Sequence, residues 1–152
     1  MKNLIKKLDK NLKIIKSENI DDIMTIYVTR TNKSAVCPCC GEKTSSINSK
    51  YYRTIKDLPI QENKVIIKLE AKTFFCNNKN CHIKTFAETF DFIEKCSRMT
   101  VRLKDRIVEN SKGMSARASK SVINESLANI SDDTILRLVK KNSQKNKYRN
   151  YY

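Results

Sequence analysis

Apolar and polar residues follow one rhythm in the first part of the chain and another in the last. Over residues 3–16, Leu4, Ile5, Leu8, Leu12, Ile14 and Ile15 recur near helical spacing, which predicts a short amphipathic helix. Residues 24–31 are rich in β-branched and aromatic side chains and read as a strand, as do 65–75 and 83–86. After Phe92 the aromatics vanish until the tail, and apolar residues recur at every third and fourth position. Residues 99–110, 115–127 and 132–141 therefore read as three helices, with a boundary near 91–98. The closing stretch NSQKNKYRNYY has no apolar periodicity and reads as a disordered basic tail over 142–152. The pattern as a whole predicts an α+β chain: an N-terminal helix within 1–23, a small β-rich unit over 24–92 and an all-α unit over 93–141.

Charge changes this picture by pointing outward. Lys and Arg number 31 against 16 Asp and Glu, a net +15. Such an excess favours a polyanionic partner, since phosphates bind Lys and Arg while counterions are released. Residues 95–152 hold fourteen basic and five acidic residues, so the electrostatic footprint is expected in the last third. Charge does not by itself choose between DNA and RNA. No run of about 18 apolar residues occurs, and the N-terminus MKNLIKKLDKNLKIIK lacks the apolar centre of a signal peptide. The expectation is a cytoplasmic, nucleoid-associated protein without a membrane partner. In a reducing compartment, six cysteines bind metal or do redox work more readily than they pair.

Four of those cysteines have ligand spacing. Cys37-Pro38-Cys39-Cys40-Gly41 contains a C-x2-C pair, Cys37 and Cys40, and Cys76 with Cys81 makes a C-x4-C pair 35 residues further on. Two intervening residues let a tight turn aim both sulfurs at one tetrahedral zinc, and Gly41 suits the left-handed backbone just after it. The strand before Cys76 delivers the second turn opposite the first. This is a zinc-ribbon layout with one structural Zn2+ held by Cys37, Cys40, Cys76 and Cys81. A thioredoxin-like redox pair is disfavoured by the second pair and by the lack of a βαβ pattern. Cys39 is the weaker alternative to Cys40, His82 is poorly placed as a ligand beside Cys81, and Cys96 reads as a small buried hydrophobe. Four thiolates close the coordination sphere, so the site is structural and not catalytic, and zinc is expected to supply much of the ribbon's folding energy.

At about 100° per residue, the last helix puts Ile135, Leu136, Leu138 and Val139 on one side. Thr134, Arg137, Lys140 and Lys141 fall on the other. Ser131 is placed to cap its first turn, with Asp132 and Asp133 favourable at the positive end. Asn129 and Ile130 break the chain before it, with Asn129 suited to a left-handed turn, and Ala118 offers a small residue for a close helix crossing. These features predict a trihelical helix-turn-helix with 132–141 as the recognition helix. On duplex DNA, Thr134, Arg137 and Lys141 would face the major groove, with Lys140 beside them and Arg137 suited to guanine. Ser115, Arg117 and Lys120 on the preceding helix would contact phosphates.

Together, CPCCG, YRTIKDLP at 52–59, KTFFC at 72–76 with Cys81, FAE at 86–88, SRMT at 97–100 and MSARASKSVINESLANISDDTILRLVKK resemble the N-terminal half of ISL-three family transposases. The resemblance covers about residues 24–141. It implies a zinc ribbon followed by a helix-turn-helix that recognises the terminal inverted repeats of an insertion sequence. In that family an RNase H-like catalytic domain follows, and the chain stops about ten residues after the helix-turn-helix. The implied protein is a DNA-binding transposase fragment without catalytic residues, not an enzyme. Its partners would be double-stranded DNA and full-length transposase or a second copy. The competing readings are a stand-alone regulator of transposition or transcription and a zinc-ribbon RNA or protein adaptor. The last of these would use Tyr51, Tyr52, Phe74 and Phe75 for stacking.

Overall fold

The computed structural model describes residues 2–149. A short helix α1 (Lys2–Lys6) leads into five strands of one sheet: β1 (Leu12–Ile20), β2 (Ile23–Arg30), β5 (Ile47–Ile60), β6 (Asn63–Phe75) and β7 (Thr85–Ala87). A two-stranded ribbon, β3 (Ala35–Val36) and β4 (Lys43–Thr44), is inserted between β2 and β5. Three helices close the chain, α2 (Val101–Asn110), α3 (Ala116–Ser126) and α4 (Asp132–Arg149). The sheet order is β1-β2-β6-β5, with β7 on the far end of β6, and β2 and β6 run parallel while the other neighbours are antiparallel.

Two turns shape the sheet. Asp21 and Asp22 both take positive φ, 48° and 59°, in the two-residue turn joining β1 to β2, a mirror-image turn that matches strand twist. Gln61, at φ 56°, turns β5 into β6. The helix expected over 3–16 therefore ends at Lys6, and residues 12–20 are a strand. Asp9 and Asn11 interrupt the helix, the Asp9 carboxylate accepting from the Asn11 amide at 2.9 Å, and β1 then gains a full ladder with β2. The sheet also extends well beyond a minimal ribbon and takes in residues 12–20.

One sheet face is packed and the other is open. Ile26, Val28, Ile55, Ile67, Leu69 and Ala71 are completely buried, under Ile5 of α1 and Phe90, Phe92 and Ile93. Residues 90, 92 and 93, at the start of the expected boundary region, thus pack on the sheet core. Phe90 and Phe92 meet edge to face, and the Arg30 guanidinium lies 4.7 Å from the Phe90 ring centre while bonding Asp9 through Nε at 2.9 Å. Glu88 anchors the same segment, accepting from the Lys72 amide and lying beside Arg30; burial raises its carboxyl above the usual range, opposed by the two cations.

The helices have a separate core of Leu103, Ile107, Ile123, Leu127, Ala128 and Ile135. Their starts match the sequence reading because each has a cap. Thr100 accepts from the Leu103 amide, Ser115 from Ala118 and Ser131 from Thr134. Two details differ. Asn129 does not take positive φ; the turn is instead closed by the Asn124 side chain, which accepts from the Ile130 amide at 2.8 Å. Ala118 is exposed, and the small residue that α3 buries is its neighbour Ser119. α4 also continues past 141 to Arg149, because Lys and Gln are good helix formers without an apolar face. Residues 150–152 of the expected tail lie outside the described residues.

The helical unit docks on the tip of the β5–β6 hairpin. Asp57, buried on β5, accepts from the Thr100 hydroxyl at 2.7 Å and from Arg102 through Nε at 2.8 Å and through a second guanidinium nitrogen. The Lys56 backbone pairs with Arg98 and Thr100, and Leu58 and Met99 join the helical core. Glu94 accepts from Lys104 at 2.7 Å and Lys141 at 3.0 Å, and these ammonium groups hold its carboxyl down to about 2.

Candidate metal centre and nucleic-acid interface

Two tight turns present the four thiols to one point. In the first, the Gly41 amide donates to the Cys37 carbonyl at 3.0 Å and Gly41 takes φ 74°. Nothing lies within 4 Å of the position a Cβ would occupy there, so glycine is favoured by backbone conformation and not by crowding. The Cys37 amide also donates to the Glu42 carbonyl at 2.9 Å, closing the β3–β4 ribbon. In the second turn the Cys76 amide donates to Lys84 at 2.9 Å and the Cys81 amide to Asn78 at 3.1 Å, while the Asn78 side chain accepts from the Asn80 amide. Phe74 and Phe86, stacked 5.9 Å apart, form the floor together with buried Cys37 and Cys81.

The sulfurs of Cys37, Cys40, Cys76 and Cys81 all lie within 4.8 Å of one another. Cys37 and Cys81 are 3.9 Å apart, and Cys40 and Cys76 are 3.5 Å apart. A tetrahedron with metal–sulfur bonds of about 2.3 Å has edges of roughly 3.8 Å, so the set fits one structural zinc ion. Local fields prepare the ligands unequally. The backbone N–H groups of Cys40 and then Cys39 favour the Cys37 thiolate, lowering its pKa to about 7, whereas burial pushes the Cys76 thiol up to about 12. Zinc, which binds thiolates, overrides the second preference.

Cys39 and His82 stay outside this cluster, as the spacing argument expected, but they meet each other, with Cys39 Sγ 3.5 Å from His82 Nδ1. Nothing in the spacing of Cys39 and His82, 43 residues apart, signals that the two side chains meet. Cys96 is not the buried hydrophobe expected. It is exposed at φ 59°, where it turns the chain toward α2.

Residues 33–81 match a family model, the zinc-finger of transposase IS204/IS1001/IS1096/IS1165. The matched span contains all four ligands and ends on Cys81. No curated protein matches the chain, and no solved structure does. The ribbon is therefore similar to the zinc ribbon of that transposase family, which suggests a nucleic-acid-binding role. No helix among the described residues is long and apolar enough to cross a membrane.

The helices place the remaining sequence-selected residues as follows. Ile135 is buried and Leu138 and Val139 pack on the helical core, but Leu136 is 43% exposed and lies at the border of the polar face. Arg137 and Lys140 are exposed on α4 and form no ion pair among the described residues; an Arg137 Nη lies 3.4 Å from the Thr134 hydroxyl. Lys141 is drawn to Glu94 at the junction with α2, away from that pair. On α3, Ser115 uses its hydroxyl as a cap, Arg117 is exposed and Lys120 lies 3.7 Å from Asp132. Of the aromatics considered for stacking, Phe74 is fully buried and Tyr51 packs against the core, while Tyr52 and Phe75 are exposed.

Proposed function

We propose that the chain is the DNA-recognition part of an insertion-sequence transposase, in which α3, the 127–131 turn and α4 act as a helix-turn-helix on duplex DNA at terminal inverted repeats. One observation carries this reading: α4 seats Ile135, Leu138 and Val139 on the helical core and leaves Arg137 and Lys140 exposed, beside a ribbon of transposase type. Arg137 has the fork geometry for guanine, Thr134 and Lys140 flank it, and Arg117 and Lys120 neutralise phosphates. Lys141 contributes after release from Glu94. The zinc site holds the fold and takes no chemical part, because four thiolates leave no open position for water or substrate. The chain binds without cutting, and inverted repeats offer sites for two copies or for one copy beside a full-length transposase.

The test is selection from a random duplex pool with zinc-loaded protein at about 0.15 M salt, where nonspecific attraction is screened. One motif, resembling inverted repeats, should emerge. Arg137→Ala should then lower preference for it by about 10-fold or more, at roughly 1–3 kcal/mol per bidentate base contact, whereas Lys120→Ala weakens binding to all sequences alike. Undiminished preference in Arg137→Ala would remove α4 from recognition, and Mg2+-dependent nicking of the selected duplex would refute binding without cutting.

A further inference from the structure

The main sheet covers its core with one face only, and the other face is ordered by register. Lys16, Tyr27, Lys68 and Thr54 lie in one row across β1, β2, β6 and β5, and Glu18, Thr25, Ile66 and Lys56 form the next. Lys64 and Lys50 extend the rows at either end, opposite Ile23 and Lys72. By register the face carries seven lysines, 13, 16, 50, 56, 64, 68 and 72, of which Lys72 is buried against the Arg30 and Asn32 carbonyls, against two carboxylates, Glu18 and Glu70. Both carboxylates are already shared: Glu18 takes Lys16 at 2.6 Å and the Tyr27 hydroxyl at 3.3 Å, and Glu70 takes Lys50 at 3.6 Å and the Tyr52 hydroxyl at 3.3 Å. Lys68 has no carboxylate partner among the described residues and bonds the Thr54 hydroxyl at 2.8 Å. A sheet face that serves solubility mixes the two signs evenly. Lysines among Thr and Tyr hydroxyls are phosphate donors.

The position of this face identifies what would lie on it. Lys56 and Lys64 reach from it into the turn before α4, Lys56 bonding the Asn129 carbonyl and Lys64 the Asn129 side-chain oxygen at 2.8 Å. The lysine face therefore runs without a gap to the N-terminal end of α4. With strands about 4.8 Å apart it is roughly 14 Å wide, suited to following one phosphate backbone.

We infer that the outer face of the β1-β2-β6-β5 sheet is a second DNA surface, a track for the phosphate backbone of duplex DNA flanking the segment engaged by α4. The inference rests on the proposed duplex-binding function and extends it beyond the helices. Lys16, Lys50 and Lys68 are the track's donors, with Lys16 exchanging Glu18 and Lys50 exchanging Glu70 for phosphate. Lys56 and Lys64 mainly hold the turn. Glu70 competes with phosphate for Lys50.

The experiment compares wild type with the triple variant Lys16→Ala/Lys50→Ala/Lys68→Ala as zinc-loaded full chain, after matching their thermal melts. Binding is measured over a salt series on a selected duplex with long flanks, on the same duplex trimmed to its motif, on a scrambled duplex and on single-stranded RNA. On the long duplexes the variant should bind about 10-fold more weakly, with a log–log salt slope smaller by up to about three, one per lysine. The ratio of selected to scrambled affinity should not change, and trimming should erase most of the difference. Glu70→Gln should tighten binding to the long duplex by about 2-fold or more. Wild-type affinity and slope in the triple variant would overturn the inference, as would a loss confined to single-stranded RNA. The two readings fail differently. Absence of any motif, with the lysine effect intact, sinks α4 recognition and leaves the track; an intact motif preference without a lysine effect sinks the track alone.

Discussion

At one end of the long β5–β6 hairpin, a handful of buried groups (Phe74, Phe86, Cys37 and Cys81) surround a four-thiol cluster. At the other end, Asp57 is locked to Thr100 and Arg102, and Leu58 enters the core of a three-helix unit. Between them lies a larger apolar core that needs neither. The first end has too little apolar surface to hold β3, β4 and β7 in place unaided, so a metal must supply the energy there. The second end has ample apolar surface and uses polar groups to fix orientation. The expectation that zinc supplies much of the ribbon's folding energy then applies to the end that holds the four thiols. The ribbon is grafted onto a sheet with its own core, and the metal's influence should be local.

Removing zinc is the strongest way to break this comparison. Binding to a structural four-ligand site contributes on the order of 10 kcal/mol to the structure it organises. Chelation, or Cys81→Ser, should abolish amide protection in β3, β4, β7 and residues 76–84. Protection at Ile26, Ile67 and Leu69, and in α2 and α3, should persist. If those core amides lost protection together with the knuckles, the two ends would be one cooperative unit and the contrast would be false.

The polar end is broken by Asp57→Ala. Its carboxylate is 1% exposed and satisfies both the Thr100 hydroxyl and the Arg102 guanidinium. Deleting one partner of a buried ion pair costs about 3–5 kcal/mol, and the lower end applies because Arg102 is 29% exposed and can recover water. Urea denaturation should show this loss, and α2–α4 should become more protease-sensitive than the sheet. Asp57→Asn retains an acceptor for Thr100 and should lose about half as much. Equal loss from both variants would mean that charge, and not the hydroxyl bond, carries the clamp.

The two ends also differed in how readily the sequence revealed them. Cys37, Cys40, Cys76 and Cys81 announce themselves by spacing alone, because zinc restricts both residue type and turn length. The three helices were equally legible from their apolar period, and at Ser131 the expected cap coincides with it; Thr100 and Ser115 cap the other two. β1 was not, because Leu8 and Leu12 continue the helical spacing of Leu4 and Ile5 across the break at Asp9, and its ladder depends on a turn with no Gly or Asn to mark it. The parallel pairing of β2 with β6 is a nonlocal choice that neither strand encodes by itself. Asp57, Lys56 and Lys64 gain their partners only from the docked helices, which no local pattern encodes. The segments at 52–59 and 97–100 that carry the family resemblance meet in this docking.

The smallest test concerns the helical unit alone. Ser119 lies fully buried in α3, and its hydroxyl has no hydrogen-bond partner among the described residues. An unsatisfied buried hydroxyl costs about 1–3 kcal/mol relative to one that is paired, and Ala is the better helix former by a few tenths of a kcal/mol. Ala fills nearly the same space, so the packing around α3 survives. Ser119→Ala should therefore stabilise the protein by about 1 kcal/mol, raising the urea midpoint without changing the slope. Larger residues should do the opposite: Ser119→Val would force α3 away from its neighbours and destabilise by roughly 1–3 kcal/mol through overpacking. A stabilising Ala beside a destabilising Val would show that position 119 requires smallness and not polarity. If Ala destabilised, the hydroxyl would have to be bonded in solution, and the helical core would owe part of its specificity to a polar contact, as the Asp57 end does.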